Sequence, residues 1–252
     1  MTLDLWFWAC AIVASLLIGA SKGGLPGVGV LGVPVLALAT TPGIAAGLLL
    51  PILITSDMYG LWIYRKNYDL RNIKIVVFAA TIGIIIGWAT AKTTSDDMVK
   101  LMVGVIGLSY FVDLLLKSKR VLAPKPADLP RGMFWGILTG FTSFVSHAGG
   151  PPYQMYVLPQ KLDKMTFAGT ATITFAIINL LKLPPYWLLD RINLTNLEIC
   201  AWLTPVALFG AFAGFRLTKI IPERLFFRFV EIALLLLSMK LTYDGIVGLT
   251  KI

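Results

Sequence analysis

The chain has 252 residues, of which 57% are hydrophobic and only 14% charged, and its mean hydropathy is +0.81. A water-soluble domain of this size leaves much of its surface exposed and cannot hide so apolar a composition. The bilayer must therefore act as solvent, and the formal charge of +9 reads as the Lys/Arg excess of cytoplasmic loops rather than as a nucleic-acid surface.

In chain order, apolar segments are expected at 5–20, 26–39, 43–64, 73–91, 98–116, 132–145, 152–158, 166–189, 197–220 and 225–247. Six of them have the length that spans ~30 Å of hydrocarbon. The other four are short and form two pairs. Each pair is split by a Gly/Pro-rich break, Ser21-Lys22-Gly23-Gly24-Leu25-Pro26-Gly27 and Ser146-His147-Ala148-Gly149-Gly150-Pro151-Pro152. No Lys or Arg precedes Lys22, so the first segment lacks the basic region of a secretory signal and is expected to remain in the mature protein. A polar linker with Lys117, Lys119, Arg120, Lys125 and Arg131 divides the chain nearly in half.

The two halves resemble each other. Gly24-Leu25-Pro26 matches Gly150-Pro151-Pro152, Gly83-x3-Gly87-Trp88 matches Gly210-x3-Gly214-Phe215, and Asp96 then falls on Glu223. Collinear matches of this kind point to an internal repeat. The expected fold is an all-α polytopic membrane protein of two inverted repeats, each a broken re-entrant helical hairpin plus three transmembrane helices. The first repeat covers 1–117, a cytoplasmic basic linker 118–131, and the second repeat 132–252. Hairpins are preferred over broken crossing helices because they gather 15 of the 22 Lys and Arg residues on one side, in keeping with the positive-inside bias.

The breaks carry the functional signal. Irregular backbone at membrane depth is tolerated only where protein or a water-filled cavity covers it, and paired broken segments point to a transporter site. A half-helix N-terminus beyond each break would aim N–H groups at an anion. Ser21, Lys22, Gly23, Gly24, Ser146, His147, Gly149 and Gly150 are expected to surround such an anion. Lys22 is a costly intramembrane ammonium and a functional candidate, with snorkelling to an interface as the plain alternative. His147 is the only histidine, and it either donates to the anion, titrates near neutral pH or serves a structural hydrogen bond.

Asp57 is the clearest intramembrane carboxylate. It is either a coupling group for protons or a static partner of Lys22 or Arg65. Asn179, the lone amide of the segment 166–189, would line the cavity or bridge helices. Gly83-x3-Gly87 and Gly210-x3-Gly214 read as close-packing faces, and Lys182-x-Pro184-Pro185 as the end of a helix. Cys10 and Cys200 lie in apolar helices and suggest neither a disulfide nor, with a single His, a metal site. No cofactor is expected. An intramembrane Ser/His hydrolase is disfavoured, because neighbouring residues such as Ser146 and His147 rarely orient one on the other.

Taken together, Gly19-Ala20-Ser21-Lys22-Gly23-Gly24-x-Pro26-Gly27, the partner Gly149-Gly150-Pro151 after the basic linker, Asp57 and Asn179 resemble the TauE/SafE family of sulfite and organosulfonate exporters over nearly the whole chain. The resemblance implies a non-enzymatic permease for sulfite, sulfoacetate or related organosulfonates in a bacterial inner membrane. Export by alternating access is the expected mode, with a passive anion channel as the rival. The expected partners are a small anionic substrate, the lipid bilayer and a second copy in a homodimer, with no nucleic acid.

Overall fold

The computed structural model describes residues 4–25, 28–40, 42–91, 93, 95–117, 123–189, 192 and 194–250. Pro26 and Gly27 of the first break and residues 118–122 of the linker lie outside the described residues. Every regular element among the described residues is helical. They are α1 (Leu5–Lys22), α2 (Gly32–Leu36), α3 (Pro42–Tyr64), α4 (Leu70–Ala89), α5 (Asp96–Lys117), α6 (Leu129–Ser146), α7 (Gly150–Val157), α8 (Lys164–Leu188), α9 (Leu194–Ile220) and α10 (Glu223–Thr250). Short 3-10 turns occupy Val28–Leu31 and Leu158–Gln160.

Five of the described helices are long and apolar enough to cross a membrane: α1, α3, α4, α8 and α9. The first segment, read from sequence as the short arm of a hairpin, is thus a helix of spanning length. The segments 98–116 and 225–247 are helical as well, in α5 and α10, but are not among the five. Along α10 the charges of Arg224, Arg228, Glu231, Lys240 and Asp244 interrupt the apolar run.

Contacts divide the chain into two compact units, and each draws on both halves of the sequence. The first unit contains residues 1–69 and 164–226. Its α1 starts on an N-cap, with the Asp4 carboxylate accepting from the Phe7 N–H at 2.8 Å, which satisfies one of the free donors of the first turn. Phe7, Ala14 and Ile18 of α1 pack with Leu48 and Ile52 of α3 and with Leu203 of α9 in its apolar core. The α1–α9 crossing is glycine-lined from both sides. Gly19 and Gly23 face the backbone of Ala207 and Ala211, while Gly210 and Gly214 face the backbone of Leu16 and Ala20. A side chain at any of these positions would meet main chain rather than a movable group. Lipid tails are as apolar as leucine, so close backbone approach is what favours this pairing over separate helices in lipid.

The second unit contains residues 70–163 and 227–252. Its α4 and α6 cross in the same manner. Gly83 faces the Ile137 carbonyl, Gly140 faces the backbone of Ala80, and Gly87 packs on the Phe144 ring. Asp128 caps α6 by accepting from the Arg131 N–H at 2.9 Å. Gly104 and Gly107 of α5 lie against Thr242 and Ser238 of α10. Both Gly-x3-Gly faces read from the sequence are therefore packing faces.

Candidate functional site

In the first unit, α1 runs into the Gly-rich break with Lys22 as its last residue. The chain turns at Gly24, whose φ of +109° is open to glycine and strained for other residues. The Leu25 N–H reaches back to the Ala20 carbonyl at 3.2 Å and the Gly24 N–H to the Ser21 carbonyl at 3.1 Å, which closes the helix end. One more of its carbonyls is met by a side chain: the Tyr64 hydroxyl donates to the Gly23 carbonyl at 2.7 Å. Beyond the break the chain forms a 3-10 turn and then the five residues of α2. The segment expected as a half-helix thus runs in 3-10 form through Gly29 and becomes α-helical at Gly32.

The turn leaves Lys22 only 5% exposed, so it does not snorkel. Its Nζ lies 2.7 Å from Oδ1 of Asp57, and Asp57 is fully buried in the middle of α3. The other carboxylate oxygen, Oδ2, accepts from the Asn179 side-chain amide of α8 at 2.7 Å. Of the two static partners considered for Asp57, the structure selects Lys22. The Asn179–Asp57 bond joins α8 to α3, the helix-bridging role that was the alternative to lining a cavity.

Helix α8 supplies the rest of the surroundings through residues at helical spacing. The Thr172 hydroxyl donates to the Lys22 carbonyl at 3.4 Å. The Phe175 ring centroid lies 5.8 Å from Lys22 Nζ, within cation–π range. Asn179 follows one turn later, and Lys182 three residues after that. Gly60 of α3 lies against Thr172 and the Lys22 carbonyl, so its missing side chain sets how near α3, α8 and the break can come.

Lys182 is where the sequence reading fails. It does not end a helix: α8 continues through Pro184 and Pro185 to Leu188, and Lys182 is fully buried. It interacts electrostatically with both Asp57 and Lys22. The adjacent Pro-Pro pair hid it, because prolines ordinarily mark a helix boundary. Its spacing from Asn179 was the available signal, since residues three apart share a helix face.

Ser21 is half-buried beside Gly29. The remaining expected site residues, Ser146, His147, Gly149 and Gly150, belong to the second unit. There α6 ends on His147 in the left-handed conformation, φ 54°, and the Ala148 N–H donates to the Thr142 carbonyl at 3.2 Å. The Ser146 hydroxyl donates to the Thr142 carbonyl at 3.3 Å. Gly149 caps α7, which starts at Gly150 and carries Pro151 and Pro152 in its first turn, the position where a missing N–H costs least. The buried polar groups here are neutral. Asn72 and Gln160 exchange two amide hydrogen bonds of 2.9 Å, and Gln154 is buried on α7. Among the described residues the deeply buried charges, Lys22, Asp57 and Lys182, all lie in the first unit.

Burial makes this cluster costly. Each ion forgoes hydration worth several kcal/mol after relaxation, and intramembrane charge is ordinarily kept where a substrate or ion must be handled. A family model described as sulfite exporter TauE/SafE matches residues 11–241 of the chain. Comparison with curated proteins and with solved structures gave no match.

Proposed function

The chain belongs to the sulfite exporter TauE/SafE family, and from that premise we propose that it is a secondary transporter of small sulfur-containing anions. Sulfite, sulfoacetate and related organosulfonates are the proposed cargo, moved outward across a bacterial inner membrane by alternating access. The observation that carries this reading is the buried Lys22–Asp57–Asn179 cluster at a Gly-rich helix break. It places an ammonium at irregular backbone, as an anion site in a membrane requires.

The repeat reading draws support from the helix pairing. In the first unit α1, the arm before the first break, packs on α9; in the second, α6, the arm before the second break, packs on α4. In the proposed repeat α1 corresponds to α6 and α4 to α9, so the two crossings are equivalent with the halves exchanged. Inverted repeats of this kind favour alternating access over a static pore.

Asp57 is the proposed coupling group. A cargo anion that takes Lys22 deprives the carboxylate of its cation. A proton bound to Asp57 then removes the uncompensated charge, so anion and proton load together, by a difference in electrostatic contacts between the two states. Ser146, His147, Gly149 and Gly150 are proposed as the anion donors of the second unit. The test is uptake of a labelled sulfonate in proteoliposomes, with and without an imposed pH gradient, for wild type and Asp57→Asn. Gradient-driven accumulation is expected in the wild type, with only equilibrium exchange left in the variant. An Asp57→Asn protein that concentrates cargo as well as wild type would assign Asp57 a purely structural role. Flux that rises linearly with concentration, without saturation or counterflow, would replace the transporter with a channel.

A further inference from the structure

Helix α9 is long and apolar enough to span the membrane and ends at Ile220, which puts its last turns at headgroup level. Two cations stand there, Arg216 and Lys219, and both are exposed. Each folds back onto the aromatic ring one turn earlier. The Arg216 guanidinium lies 5.2 Å from the Phe212 ring centroid, and Lys219 Nζ lies 5.9 Å from that of Phe215. Neither has a carboxylate within ion-pair distance among the described residues. The end of the helix is met by a different residue. Lys164 of α8 donates to the carbonyls of Lys219 and Ile221 at 3.2 and 2.5 Å, which satisfies acceptors that a helix terminus leaves open.

What adjoins the cations decides the kind of anion they suit. Phe209, Phe212 and Arg216 follow one another at intervals of three and four residues, so they share a helix face. All three are exposed, as are Leu217 and Ile220 near them. Long side chains on a helix lean toward its N-terminus, which at this end of α9 is the direction of the hydrocarbon. The Arg216 guanidinium lies that way, over Phe212, whereas an arginine seeking only water would snorkel outward. Positive charge bordering an exposed apolar strip matches an amphiphile that carries a phosphate above an acyl chain. A nucleic acid or a soluble anion would use the cations and leave the strip bare. We propose that this end of α9 docks an anionic phospholipid, with Arg216 and Lys219 on its phosphodiester and an acyl chain along Phe209 and Phe212.

The experiment is native mass spectrometry of the detergent-solubilised full chain, titrated with phosphatidylglycerol or with phosphatidylcholine of the same acyl chains. It yields a dissociation constant for the first lipid adduct. Wild type is expected to bind phosphatidylglycerol more tightly. Arg216→Gln and Lys219→Gln are each expected to weaken phosphatidylglycerol about fivefold, the worth of one Lys or Arg near an anionic surface. The control is Arg71→Gln with Lys74→Gln, two exposed cations of α4, whose loss should leave that constant unchanged. Phe209→Ala is expected to weaken phosphatidylglycerol severalfold through the acyl chain. An unchanged constant in Phe209→Ala would overturn the lipid in favour of a bare phosphate group. Equal losses in the α4 control and the α9 variants would reduce the preference to net charge and overturn the site. So would a wild type that does not distinguish the two lipids, or a preference that survives removal of Arg216 and Lys219 together.

Discussion

Both Gly/Pro breaks end a helix of 18 residues with a residue of positive φ, Gly24 in the first unit and His147 in the second. A positive-φ residue follows the helix in both breaks, but the chemistry differs. The first break delivers a lysine to a buried carboxylate. The second is followed by a half-helix near which the buried polar side chains are neutral, among them the Asn72–Gln160 pair. A similar backbone turn thus does not carry similar charges. Charge is the costly component in a low-dielectric setting.

The contrast breaks first at Asp57. Asp57→Ala leaves Lys22 buried without the carboxylate that pairs with it, a change expected to cost about 3–5 kcal/mol. Reversible unfolding in mixed micelles, followed by tryptophan fluorescence, measures it. A cost near that of an ordinary surface substitution would mean that the cluster is hydrated and that the two breaks differ less than their residues suggest.

The next test asks whether the two units share their packing even though they differ in charge. Gly210 and Gly83 both sit against main chain of a crossing helix. Gly210→Val and Gly83→Val are each expected to cost about 1–3 kcal/mol by overpacking, with similar values in the two units. The same unfolding assay gives both numbers. A large loss in one and none in the other would end the correspondence between the α1–α9 and α4–α6 crossings.

These expectations were unequally visible in the sequence. The breaks, the Gly-x3-Gly faces and the lone buried carboxylate could be read directly, because glycine, proline and an intramembrane acid each have few uses in lipid. Asp57 and Asn179 could be picked out as polar residues in apolar helices, but their mutual contact, 122 positions apart, could not. The division into units also escaped a linear reading, since each unit combines residues from both halves. Lys182 was missed for a local reason, a Pro-Pro pair that ordinarily stops a helix. Tertiary packing carries α8 through it.

Tyr64 sharpens the comparison at the level of a single hydrogen bond. Its hydroxyl donates to the Gly23 carbonyl at 2.7 Å in the first unit, while Tyr156 donates to the Asp128 carbonyl at 3.1 Å in the second. Tyr64→Phe is expected to cost about 1 kcal/mol, the ordinary net worth of such a bond. It should also reduce transport, because the carbonyl it holds belongs to the break beside Lys22. Tyr156→Phe is expected to cost the same stability and leave transport intact. Equal transport losses in the two variants, measured by labelled-sulfonate counterflow, would show that the tyrosines act only through stability.

The smallest effect belongs to the neutral network. Gln160 donates to the Asn72 side chain at 2.9 Å and to the Tyr156 carbonyl at 3.1 Å, and it accepts from Asn72 at 2.9 Å. Deleting so many bonds would be severe if each kept its vacuum strength. In membranes the measured net worth of such bonds averages about 0.6 kcal/mol and peaks near 1.7, because the dissociated helices find other partners. Gln160→Ala is therefore expected to fall in that range, well below Asp57→Ala. A double-mutant cycle with Asn72→Ala isolates the pair from the other bonds each amide makes, such as that of Gln160 to the Tyr156 carbonyl. The coupling energy should be positive and small. A value matching that of the Asp57 cluster would mean that the second unit stores as much polar energy as the first without any formal charge, and the asymmetry between the two breaks would then lie in the sign of the field alone.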